Sequence, residues 1–154
     1  MTSPQPTPSR PRPADAAALC DAIAAEHATI YGYGFVSAHV TTDLNALVSD
    51  SISEHRERRE AAIAMLSGRS EAPPIAAVGY QLPFPVKNVN DAARLAVTME
   101  NDNAVAWRAV LEQAKSPEDR TFAVTALTQC AVRGAQWRHA VNIWPMTVAF
   151  PGGS

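Results

Sequence analysis

Apolar and small side chains recur at helical spacing along four stretches of this chain, and in each stretch the repeat admits polar residues near its middle. The first stretch, from about Ala14 to His39, puts Leu19, Ile23, Ile30 and Ser37 on one stripe that Glu26 and Tyr33 complete, so a carboxylate is directed at the core. Gly32 and Gly34 lie inside it, and each costs a helix up to ~1 kcal/mol relative to alanine. Either a neighbouring helix or a second subunit approaches closely there, or the helix bends or ends. Thr41, Thr42 and Asp43 supply cap candidates for a second helix that runs to about Ser67. Its inner face reads Leu44, Val48, Ile52, His55, Arg59, Ile63 and Leu66.

Between Ser67 and Asn90 the four prolines Pro73, Pro74, Pro83 and Pro85 exclude a regular helix. A third helix is predicted over Asn90 to Lys115, with Leu95, Met99, Asn103, Trp107 and Val110 inward and Glu100 beside Met99. Ser116 and Pro117 suit the cap and first turn of a fourth helix that ends near Ala140 and turns Phe122, Ala126, Cys130, Arg133 and Trp137 inward. The closing Asn142 to Ser154 reads as an apolar, proline-broken strap docked on the helices. A connection of about 20 residues at up to ~3.3 Å each reaches the full ~37 Å of a helix of about 25 residues, so helix 3 can start at the end where helix 2 started. The expected fold is all-α: an antiparallel four-helix bundle with a long crossover between helices 2 and 3, the ferritin-like arrangement.

The polar positions fall at one height. Glu26 lies about 13 residues before the end of helix 1 and His55 about 12 after the start of helix 2, while Glu100 and Arg133 sit about 15 and 16 residues from the corresponding ends of helices 3 and 4. Burying unpaired charges costs several kcal/mol each, so the layer either pairs internally or holds a metal. A di-iron bundle takes a Glu from each of two helices and a Glu-x-x-His from each of the other two. Glu26 and Glu100 answer to the single carboxylates, but His55 has Ile52 three residues earlier and His139 has Gln136. The expectation is a degenerate di-iron site in which Glu26, His55, Arg59, Glu100 and Arg133 form a buried ion network, the two arginines pairing with the two glutamates. The competing reading is a reduced metal site of Glu26, His55 and Glu100 holding iron or manganese. A third is a small-ligand site among Tyr31, Tyr33, Trp107 and Trp137.

Composition narrows the partners. A net charge of −2 gives no basic field for nucleic acid or acidic lipid, and no run approaches the ~20 apolar residues that cross a bilayer. Cys20 and Cys130 fit no metal or redox spacing, which points to a reducing, cytoplasmic setting. Residues 1–13 hold five prolines and nothing to bury, and are expected to form a disordered tail before one domain over 14–154.

Several segments taken together resemble an actinobacterial ferritin-like family of unknown function. They are Glu26-His27, Tyr31-Gly32-Tyr33-Gly34, His55 to Glu60, Tyr80 to Pro85, Glu100, Trp107, Trp137-Arg138 and Phe150-Pro151-Gly152. The resemblance implies a ferritin-like bundle, a homodimer, and no assigned activity or cofactor. Because the iron-ligand set is incomplete, function is expected to be non-catalytic, through self-association or a protein partner, with a metal-dependent oxidoreductase as the alternative.

Overall fold

Alanine-rich, proline-free sequence begins at Ala14, and there the first helix begins. The structure, a computed structural model, describes residues 7–153. Four helices carry it: α1 (Ala14–His39), α2 (Asn45–Ser67), α3 (Val89–Gln113) and α4 (Pro117–Ala140), with a short 3-10 turn Thr42–Leu44 before α2 and no strand among the described residues. Local chemistry starts α3 and α4: the Asn88 side chain accepts from the Asp91 amide, and the Ser116 side chain accepts from the Asp119 amide ahead of Pro117. No side-chain cap forms at Thr41, and the 3-10 turn takes up that role.

The ends of the helices fix the topology. Asp15 at the start of α1 pairs with Arg69 just beyond α2 and with Lys115 just beyond α3, while Arg69 also pairs with Asp119 at the start of α4. Thus α1 and α4 run one way, and α2 and α3 run the other. Residues 68–88 form the crossover that this order requires, carrying the chain along the length of α1 without helix or strand. His27 holds it at the Pro74 carbonyl, Tyr31 packs on Tyr80, and Leu82, Phe84 and Val86 join the core beside the start of α3.

The core is cut in two. At one end Leu19, Ile23, Leu66, Trp107 and Val110 pack together, and at the other Val36, Val48, Leu95, Met99 and Trp137 do. Each such side chain contributes about 1.5–3 kcal/mol on burial, and the polar layer lies between the two halves. Just ahead of α1, Arg10 meets both carboxylate oxygens of Asp21 at 2.9 and 2.8 Å, and Pro11 is buried. Residues 1–6 lie outside the described residues.

The two glycines of α1 separate cleanly. The helix runs through both without a break. A Cβ on Gly32 would fall on Met99 Sδ of α3, whereas nothing lies within 4 Å of one on Gly34. Gly34→Ala should therefore stabilise by up to ~1 kcal/mol, and Gly32→Ala by less, because the flexible end of Met99 has to move aside first. Thermal melts in which Gly32→Ala gained as much as Gly34→Ala would contradict this assignment.

Candidate functional site

Three of the four elements place an acid or a base at mid-height. Glu26 of α1, His55 of α2 and Glu100 of α3 are all buried, and the imidazole lies between the carboxylates. His55 Nδ1 is 2.6 Å from Glu26 Oε2 and Nε2 is 3.0 Å from Glu100 Oε1. Burial alone would lower the His55 pKa, but the hydrogen bonds and charges of Glu100 and Glu26 overturn that and carry it from 6.5 to about 9. The ring is thus an imidazolium at neutral pH, donating from both nitrogens.

Arg58 supplies the second cation. Its Nη1 donates to Glu26 Oε1 at 3.1 Å and to Cys130 Sγ at 3.4 Å, and its other nitrogens donate to Gln129 Oε1 at 3.0 and 3.3 Å. Nη1 also lies 3.2 Å from His55 Nδ1. With the ring protonated both atoms are donors, so that approach reflects a shared acceptor, Glu26. Trp107 Nε1 donates to Glu26 Oε1 as well, at 2.7 Å. Burial raises the Glu26 pKa, yet His55 and Arg58 prevail and hold it below the usual carboxylate range. On the far side the Tyr33 hydroxyl donates to Glu100 Oε1 at 2.5 Å and accepts from Trp137 Nε1 at 2.9 Å. Burial and the Glu100 charge push the Tyr33 pKa well up, so the phenol stays neutral.

Arg59 and Arg133, expected inside the layer, lie outside it. Arg59 is half-buried and pairs with its neighbour Glu60; Arg133 reaches Glu54 at 3.3 Å and Gln136 at 3.1 Å. On α2 the third and fourth residues after His55 straddle the inward line almost symmetrically, and the interior takes the third because Gln129 and Cys130 of α4 face it. Two residues of the layer, Arg58 and its acceptor Gln129, were not singled out for it, and Asn103 lies apart from it. Asn103 donates to Thr29 Oγ1 at 2.5 Å. Of the four aromatics considered for a ligand site, Tyr33, Trp107 and Trp137 are sealed in the core, and Tyr31 alone borders a cavity.

This donor set does not fit a pair of iron or manganese ions. Two carboxylates and one imidazole stand where about four carboxylates and two imidazoles are needed. Both imidazole nitrogens are spent on those carboxylates, and a guanidinium already neutralises Glu26. Among the described residues no three His, Cys, Asp or Glu side chains converge as metal ligands. Glu26 and Glu100 are balanced by His55 and Arg58, leaving no net charge to attract a divalent cation. One buried atom points the other way: Glu100 Oε2 has no hydrogen-bond partner among the described residues. His139 is exposed near the end of α4, its Nδ1 3.4 Å from Met146 Sδ, and takes no part in the layer.

No helix is long and apolar enough to cross a membrane among the described residues. Among curated proteins none matches the chain. A crystal structure of a conserved hypothetical protein from Mycobacterium tuberculosis is similar, with 57% sequence identity, a TM-score of 0.83, and coverage of 84% of this chain and 98% of that one. Residues 18–154 match the family described as a domain of unknown function, DUF4439, and the chain belongs to that family.

Proposed function

We propose that the chain is a ferritin-like bundle whose central layer is held by its own cations in place of iron or manganese, and that it acts without catalysis, by associating with a second copy of itself. The observation that carries the first half is Arg58. Its guanidinium donates to Glu26 beside a doubly bonded imidazolium, so the layer is electrically closed. The up-down-down-up order and its crossover support the ferritin-like assignment.

Association is supported by the outer face of α4. No charged side chain occurs from Thr121 to Val132. Val124 and Val132 are 46% and 55% exposed, and the hydroxyls of Thr121 and Thr125 are spent on helix carbonyls, leaving methyl groups outward. Beside this face the charge-free strap exposes Trp144 at 71% and Phe150 at 79%. A groove of about 770 Å³ runs between it and Leu44 and Leu47 of the opposite wall. Apolar patches of this extent mark interaction surfaces. Val124 and Val132 stand four residues either side of Thr128, so a two-fold axis there sets each Val124 against Val132 of the partner subunit.

The competing reading, a metal-dependent oxidoreductase on Glu26, His55 and Glu100, draws on the unpartnered Glu100 Oε2 alone. Elemental analysis of protein prepared without chelators, before and after supply of Fe(II) or Mn(II), separates the two. We expect only substoichiometric metal; one or two ions per chain would overturn the proposal. Sedimentation equilibrium should give twice the 16.5 kDa chain mass, and Val132→Glu should return it to monomer.

A further inference from the structure

Away from the central layer, α1, the crossover and α3 enclose a cavity of about 300 Å³. Tyr31 and Tyr80 wall it, their rings 5.3 Å apart and tilted by 55°. Gly32 and Met99 also border it, the missing Cβ admitting the thioether. Some of its polar groups are already committed: the Thr98 hydroxyl donates to the Arg94 carbonyl, Thr29 Oγ1 accepts from Asn103, and the Tyr80 hydroxyl accepts from the Ala77 amide. Three have no hydrogen-bond partner among the described residues: the Tyr31 hydroxyl, the Gln81 amide and the Asp102 carboxylate. No described cation pairs with Asp102, and burial raises its carboxyl pKa with nothing to offset it.

We propose that this cavity binds a small organic ammonium ion, held against the wall formed by the Tyr31–Tyr80 pair and by the carboxylate of Asp102, with Gln81 as a further hydrogen-bonding group. The chemistry of the wall selects that class. Aromatic faces attract cations through the negative potential above the ring, and more strongly where water is excluded. Of the lining side chains only the Asp102 carboxylate has an acidic pKa, and as an anion it repels carboxylate and phosphate ligands. One carboxylate is too few for a hard metal ion, which asks for six or more oxygen ligands. An apolar ligand would leave Asp102 partly desolvated and unpaired, a cost that an ammonium removes. This site is independent of the central layer and of the α4 face, so its test stands whether or not those readings hold.

The test uses three probes of one shape on the full chain: benzylammonium, benzyl alcohol and benzoate, followed by calorimetry and by the ring resonances of Tyr31 and Tyr80. Benzylammonium should saturate and shift both rings, with an affinity at least about tenfold above that of benzyl alcohol, and benzoate should not bind. Asp102→Asn, at a position exposed enough to leave the fold intact, should reduce benzylammonium to the level of the alcohol while leaving alcohol binding unchanged. Tyr80→Ala should weaken both. Equal affinity for the amine and the alcohol would mean an apolar pocket and would overturn the proposal. So would an unaltered amine affinity in Asp102→Asn, or no saturable binding of benzylammonium at all.

Discussion

Replacing Arg58 by methionine is expected to destabilise the bundle by about 3–5 kcal/mol, whereas the same change at Arg59 should cost no more than ~1 kcal/mol. The two arginines are adjacent in sequence and alike in composition, so the difference isolates position. Arg58 is buried, and its loss leaves Glu26 and Glu100 facing a single imidazolium, with a net negative charge locked in the core. Methionine fills much the same volume, so the effect is not a cavity effect. Arg59 is half-buried and engages only Glu60 beside it, on the solvated side of α2. Urea denaturation of the two variants reads this directly. Adding Glu26→Gln to Arg58→Met should recover part of the loss, because it removes the charge that the arginine was neutralising; a strictly additive double variant would sink the network account. Arg58→Lys should recover less than the wild type, since an ammonium cannot serve Glu26 and Gln129 together as the guanidinium fork does.

How much of this was legible in the sequence follows from what periodicity encodes. The helices, their order and the crossover came from apolar spacing and prolines, and these survive because each helix must bury one stripe whatever its partners are. Glu26, His55 and Glu100 are brought together as their heights implied. What periodicity does not encode is azimuth to better than about half a step. Positions three and four residues from His55 both lie near the core, and only the partner on α4 decides between Arg58 and Arg59. Arg133 was misplaced for the same reason: Gly134, one residue on, is the buried position that faces Glu100 Cβ. One signal was available. Gln129 and Cys130 one turn before Arg133 already offered an acceptor pair at the height of the layer, and a cation from α2 was the natural match.

Raising the pH should unlock the same layer from the other side. His55 has a folded-state pKa of about 9 against 6.5 unfolded. Its charge therefore adds stability in full below 6.5, and that contribution is lost as the pH rises through about 9. At ~1.4 kcal/mol per pH unit the loss amounts to about 3 kcal/mol, or a fall in Tm of roughly 6–12 °C for a chain of this size. The neighbours do not offset it: Tyr33 and Cys130 are both pushed upward by burial, so neither supplies compensating charge in this window. Glu26 has the opposite sign. Its pKa is depressed, so its contribution is present above 4.5 and lost on acidification. Stability should thus be greatest between these limits and fall on both sides. Thermal melts from roughly pH 3 to pH 10 give the curve, and His55→Gln should abolish its alkaline limb while lowering the value at pH 6.5. A nitrogen-15 titration of the ring adds the decisive detail. An imidazolium between two carboxylates loses one proton near pH 9, whereas a ring bound to a metal through one nitrogen carries no such titration, so the two accounts of the layer part at a single resonance.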